Sequence, residues 1–137
     1  MTRRDCDHIG ILTADADRLI RFYCDLLGYR TVRDEVVTAD VMEAIFTVHA
    51  DCRLVKLSPP KNTEGVNIEI FFYCDGGTDR RPARAPGYNH WGLRVPDRES
   101  FVAEMKRHGA AVTEVWRDGH AVYFISDPDG NRIEIRD

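Results

Sequence analysis

No apolar run in this 137-residue chain approaches the roughly 20 residues a membrane-spanning helix needs. Its polar start, Met-Thr-Arg-Arg-Asp, also lacks the apolar region of a secretory signal. A cytoplasmic location is therefore expected, with no membrane partner. Cysteines are few and scattered: Cys6, Cys24, Cys52 and Cys74 contain no C-x-x-C pair, which speaks against a dithiol redox motif or a disulfide framework. They are expected to be reduced, small and mostly buried, although strand alternation puts Cys6 on the same face as His8. There is no surplus of positive charge either. A net charge of -4, a pI near 5.7 and dispersed arginines exclude a nucleic-acid-binding strip. With 43% hydrophobic and 31% charged residues the chain is not disordered, and its length allows one domain or two small modules sharing a core.

What the chain does have is an internal repeat. His8-Ile-Gly-Ile-Leu-Thr-Ala-Asp15 returns as His90-Trp-Gly-Leu-Arg-Val-Pro-Asp97, aligning His8 with His90, Gly10 with Gly92 and Asp15 with Asp97 without a gap. Each copy ends in an apolar alternation that carries one carboxylate, Val66-Asn-Ile-Glu69-Ile-Phe in the first and Asn131-Arg-Ile-Glu134-Ile-Arg in the second. Two histidines and two glutamates at matching places are the raw material of one metal site.

The first copy alternates as a strand over residues 6 to 13. An Asp15 N-cap then opens a helix with Leu19, Ile20, Tyr23, Leu26 and Leu27 on one stripe, and Gly28 closes it. Tyr29 to Thr38 reads as a strand, and Ala39 to His49 fits a short helix better than a strand. Residues 52 to 58 and 66 to 73 are the last two strands. His8 to Glu69 spans 61 positions and His90 to Glu134 spans 44, so an excess of 17 lies in the 39–49 segment and the Pro59 to Gly65 loop. An insertion near a site is a natural place for substrate selectivity. A Gly-, Pro- and Arg-rich linker follows, residues 75 to 87. The second copy repeats the plan: a strand from Tyr88 to Val95, a helix from about Arg98 to His108 between Asp97 and Gly109, then strands near 112–117, 120–126 and 131–136, with Asp127-Pro-Asp-Gly130 as a turn. The predicted architecture is α+β, a single domain over 1–137 built from two βαβββ modules, about 5–74 and 88–137.

Alternation places Ile68, Ile70, Phe72, Trp91, Leu93, Val95, Ile133 and Ile135 toward the helices, and Glu69, His90 and Glu134 on the opposite face with His8. Carboxylates gathered on such a face need a partner, since burying them alone costs several kcal/mol. Arg94, Arg132 and Arg136 fall on the same side, where they could meet an anionic substrate or merely solvate an edge. Phe71 and Tyr73 are equally suited to a pocket wall and to packing.

The opening Asp7-His-Ile-Gly10, the helix end Arg21-Phe-Tyr-Cys-Asp-Leu-Leu-Gly28, Asn89-His-Trp-Gly92 and the closing Asp127-Pro-Asp-Gly-Asn-Arg-Ile-Glu134, in this order, resemble the vicinal oxygen chelate superfamily. That superfamily includes glyoxalase I, methylmalonyl-CoA epimerase, extradiol dioxygenases, fosfomycin resistance enzymes and bleomycin-binding proteins. The resemblance implies paired modules forming a cupped mixed sheet with helices outside, around one divalent ion (Zn, Ni, Co, Mn or Fe) held by His8, Glu69, His90 and Glu134. It also implies a small-molecule substrate offering a carbonyl or vicinal oxygens, and a homodimer whose modules pair within a chain or swap between chains.

Four such ligands leave positions for a bidentate substrate and suit a metal that polarises a carbonyl, and the resemblance to glyoxalase-like members implies that Glu134 would move the proton and Glu69 could serve the other face. The expected activity is that of a metal-dependent lyase or isomerase of the glyoxalase I or methylmalonyl-CoA epimerase kind. One alternative is an Fe(II) extradiol-type dioxygenase using His8, His90 and Glu134. Against it, the tyrosine such enzymes carry three residues before the Asp-Pro turn is Phe124 here, Tyr123 should face the other way, and His120 is spaced differently and reads as an exposed strand-start residue. A second alternative is an antibiotic-binding or fosfomycin or bleomycin resistance protein, against which the complete four-residue set argues.

Overall fold

Alternating burial in the first strand sets the layout of the first half. β1 (His8–Leu12) buries Ile11 and exposes His8, Gly10 and Leu12. The computed structural model describes residues 2–137, which fall into two compact units, one ending at Arg80 and one spanning Arg81–Asp137.

In the first unit β1 is followed by α1 (Ala16–Arg21), β2 (Arg30–Val37), α2 (Ala39–Phe46), β3 (Cys52–Ser58) and β4 (Asn67–Tyr73). Asp15 caps α1 by accepting from the Arg18 N–H at 3.0 Å, as its position before the apolar stripe predicts. The helix does not stay α to its end. Residues Phe22–Leu26 form a π turn, and the widened turn lets both Phe22 and Tyr23 enter the core, where the 3.6-residue stripe places Tyr23 alone.

The sheet order is β1-β4-β3-β2, with β1 parallel to β4 and the other pairs antiparallel. Ile68, Ile70, Val55 and Leu57 are fully buried on one face, which α1 covers through Leu19, and Tyr23 of the π turn is fully buried too. The register pairs Lys56 with Glu69, Leu54 with Phe71 and Cys52 with Tyr73, so these six share the other face with His8. α2 packs on this second face: Met42 and Ala50 form a buried cluster with Cys52 and Tyr73, flanked by Val37 and Phe71. The ambiguous 39–49 segment is thus a helix seated on the ligand-bearing side, and Tyr73 is core packing.

The second unit repeats the order with β5 (His90–Arg94), α3 (Arg98–Arg107), β6 (Ala111–Arg117), β7 (His120–Ser126) and β8 (Arg132–Arg136). Its sheet runs β5-β8-β7-β6, again with the first pair parallel. α3 is capped by Asp97 and buries Val102 and Met105 over a sheet face of Ile125, Ile133 and Ile135. No helix separates β6 from β7; a tight turn at Asp118-Gly119 does instead. Tyr88, the expected strand start, is 96% exposed and lies outside β5.

The cysteines depart from expectation. Cys52 is buried and Cys24 half-buried, but Cys6 and Cys74 are exposed, both lying just outside β1 and β4.

Candidate functional site

β1 and β4 lie in parallel register with His8 opposite Asn67 and Gly10 opposite Glu69. His8 and Glu69 are therefore diagonal neighbours on one face, and His8 Nε2 stands 3.1 Å from Glu69 Oε2. The glycine contributes by omission, since no Cβ rises on that face directly across from the carboxylate. The other ring nitrogen of His8, Nδ1, bonds Asp7 Oδ1 at 2.7 Å. That hydrogen bond, and next the positive charge of Lys56, hold the Asp7 carboxyl below the usual carboxylate range.

The second unit reproduces the arrangement residue for residue. His90 is opposite Arg132 and Gly92 opposite Glu134, and His90 Nε2 stands 3.4 Å from Glu134 Oε2. Here Nδ1 bonds Asn89 Oδ1 at 2.8 Å. An amide oxygen only accepts, so Nδ1 of His90 carries a proton. In the neutral ring Nε2 then presents a lone pair toward a carboxylate oxygen, an arrangement that calls for a proton or a cation between the two.

The donor set fits a divalent ion. Imidazole nitrogen and carboxylate oxygen each bind zinc-like ions at about 2.0–2.2 Å, so two of them subtending a right or tetrahedral angle stand about 3.0–3.4 Å apart. The two His–Glu separations match that spacing. Both glutamates are mostly buried while both histidines stay about a third or more exposed, so each pair remains open to a ligand. A further set, Asp40 and Glu43 of α2 and His49 beyond its end, has its ligand atoms within 4.8 Å of one another, but all three residues are exposed.

The surroundings differ between the units. Around Glu69 the ligand face carries Lys56 directly across the β3–β4 pair and Arg33 across from Lys56. Beyond Gly10 the half-buried Phe71 meets Phe46 edge-on. Around Glu134, Oε1 accepts from Arg136 Nη1 at 3.2 Å, and Glu134, Arg136, His120 and Val122 line a cleft of about 170 Å³. Arg94 donates to the Asp137 carbonyl, and Arg132 is exposed across from His90. Phe124 sits opposite Glu134 with its ring 5.2 Å from His90, while Tyr123 is buried on the other face under the Arg98 guanidinium. The position beside the histidine thus carries no hydroxyl.

Within each unit the structure brings together the histidine and glutamate singled out by the repeat. It adds residues that the repeat did not single out. Asp7 and Asn89 were readable as acceptors standing immediately before each histidine. Lys56 and Phe46 were not, because their nearness to the site follows from strand register and from where α2 docks.

A family model described as Glyoxalase/Bleomycin resistance protein/Dioxygenase superfamily matches residues 6–135. A protein of Synechocystis sp. named probable lactoylglutathione lyase is 30% identical over 132 residues, covering 93% of this chain and 91% of the relative. Catechol-2,3-dioxygenase of Bacillus subtilis is 27% identical over 138 residues, which take in 93% of this chain but 40% of that one. Among solved structures, the trypanothione-dependent glyoxalase I of Leishmania major superposes with a TM-score of 0.73 at 24% identity, over 98% of this chain and 87% of that one, a likeness of fold.

Proposed function

This chain belongs to the Glyoxalase/Bleomycin resistance protein/Dioxygenase superfamily, and from that premise we propose that it is a divalent-metal-dependent lyase or isomerase of the glyoxalase type, acting by proton transfer next to a carbonyl of a small substrate. The observation that carries the reading is the duplicated pair: a histidine Nε2 and a glutamate Oε2, 3.1 Å and 3.4 Å apart, each with the histidine's Nδ1 already committed to an acceptor. His8, Glu69, His90 and Glu134 would hold one ion per site, and a homodimer is part of the same proposal.

When bound, such an ion supplies Lewis acidity to the substrate carbonyl and makes the neighbouring C–H acidic. Glu134 accepts that proton and returns it to the adjacent carbon, so the substrate is isomerised with no net change in atoms. Its Oε1 is held at 3.2 Å by the exposed Arg136 side chain, which leaves Oε2 on the His90 side. Glu69 does the corresponding work on the opposite face of the substrate. Lys56 and Arg33 would receive an anionic part of the substrate, Arg132 and Arg94 would stand at the second unit's rim, and Phe71 with Phe46 would flank an apolar part. The extradiol reading is weaker because Phe124, against His90, offers no hydroxyl to a bound catechol.

The test is metal content of protein purified without chelators under anaerobic conditions, followed by turnover of 2-oxoaldehyde thiol adducts and acyl-CoA epimers with solvent-deuterium incorporation. One exchangeable divalent ion per site and a Glu134→Gln protein that keeps metal but loses roughly 10²–10⁴-fold in kcat support the proposal. Full activity in Glu134→Gln would remove the assigned base. Stoichiometric Fe(II) with oxygen-dependent ring cleavage would replace the lyase with the dioxygenase, and failure to take up any metal would leave a binding protein.

A further inference from the structure

Adjacent residues of a strand point to opposite faces, so their side chains do not meet while the chain stays extended. Asp7 and His8 nevertheless share a 2.7 Å contact, and Asn89 and His90 share one of 2.8 Å. In both units the strand begins at the histidine, which leaves the preceding residue free to turn its side chain back to Nδ1. In the first unit that residue is also pinned: the Asp7 carbonyl accepts from the Asn67 backbone N–H at 3.1 Å and from the Asn67 side-chain amide at 3.3 Å. The same local geometry thus occurs twice, with a carboxylate oxygen in one copy and an amide oxygen in the other.

We propose that Asp7 and Asn89 are positioning residues that lock His8 and His90 in the Nδ1–H tautomer, aim each Nε2 at its glutamate, and make the two histidines unequal ligands. The inference rests on the metal reading for its purpose, though not for its geometry. A histidine that donates one ring N–H to a fixed acceptor has its tautomer and ring orientation set and its other nitrogen made more basic. A carboxylate acceptor forms a charge-assisted bond about twice as strong as a neutral amide does. His8 is therefore the stronger donor, and the His90 arm, held by an amide, is the weaker one and the first to loosen.

Two readouts test this. Long-range ¹H–¹⁵N spectra of the Zn²⁺-loaded protein report the protonated ring nitrogen of each histidine and how fast its proton exchanges with solvent. The wild type is expected to show a slowly exchanging Nδ1–H at both His8 and His90. Asp7→Ala is expected to make the His8 Nδ1–H exchange fast, whereas Asp7→Asn keeps it protected, since Asn89 already does that work in the second unit. Affinity for Zn²⁺ is then read by competition with a chromophoric chelator. Asp7→Ala should weaken binding about 10- to 100-fold, Asp7→Asn should recover most of the loss, and Asn89→Asp should tighten binding.

An Asp7→Ala protein with unchanged His8 Nδ1–H exchange and affinity within twofold of wild type overturns the proposal. So does an Asp7→Asn protein as impaired as Asp7→Ala, which would point to a structural defect. A wild type that takes up no Zn²⁺ refutes the metal reading and the proposal with it, whereas a wild type that binds Zn²⁺ beside an unaffected Asp7→Ala refutes the positioning role alone.

Discussion

Phe46, the last residue of α2, meets Phe71 of β4 edge-on, with ring centroids 5.4 Å apart and planes inclined at 67°. Phe71 lies two residues beyond Glu69 on the same strand face, so this aromatic pair forms an apolar flank beside the His8–Glu69 pair. α2 has no counterpart in the second unit, which makes the flank a property of the insertion.

Replacing Phe46 with Ala should therefore change selectivity rather than chemistry. kcat/KM for substrates with a small apolar group is expected to fall about five- to tenfold while that for bulkier ones falls less or rises, with metal content unchanged; contacts of this size discriminate by about 1–3 kcal/mol. A substrate series run on both proteins checks it. Equal losses across the series would show that Phe46 does not touch the substrate.

Met42 anchors the same helix from within, 1% exposed against Ala50, Cys52 and Tyr73. Met42→Ala should cost about 2–5 kcal/mol in urea unfolding, because it removes buried apolar volume at a site closed by a helix on one side and a sheet on the other. A loss below about 1 kcal/mol would mean that α2 collapses onto the gap and is held loosely.

Gly28 has a φ of +76°, and a Cβ added there would lie 3.2 Å from Pro60 Cγ. Gly28→Ala combines left-handed backbone strain of about 1–2 kcal/mol with a tight contact against the 59–65 loop. A lowered midpoint with an unchanged urea slope is the expected outcome. No change would show that the turn relaxes to negative φ.

Arg53 ties three elements together, donating to Asp34 of β2 at 3.0 and 2.8 Å and to Asp17 of α1 at 2.9 Å. Those bonds hold the Asp34 carboxyl below the ordinary carboxylate range. A folded-state value below the unfolded one contributes stability that is present above the unfolded value and disappears as pH falls through the folded one. The stability gap between wild type and Asp34→Asn should thus be constant from about pH 5 to 7 and close below about pH 4, narrowing also at high salt because the pair is partly exposed. A gap that persists at pH 2–3 would mean the asparagine harms packing rather than charge pairing.

Much of this molecule was legible because it rests on local rules. The repeat of His8 and His90 predicted two matching modules, and alternation put each histidine on the same face as its glutamate, where the parallel register then set the diagonal contact. Asp15 and Asp97 announced the starts of α1 and α3 through N-cap chemistry that needs no tertiary partner. The π turn at Phe22–Leu26 was not legible, since a 3.6-residue stripe and a widened turn differ by one residue whose inward placement depends on what packs against it. The exposed Cys6 and Cys74 escaped for a similar reason, as burial of a small residue is decided by what covers it.

The sequence by itself determined the module plan, the strand faces, the caps and the identity of both His–Glu pairs, because periodicity and capping act within a few residues of the chain. Tertiary structure alone decided that α2 sits on the ligand-bearing face and that Lys56 stands across from Glu69. Those outcomes depend on inter-strand register and on the docking of one element onto another, interactions between residues distant along the chain that no local pattern encodes.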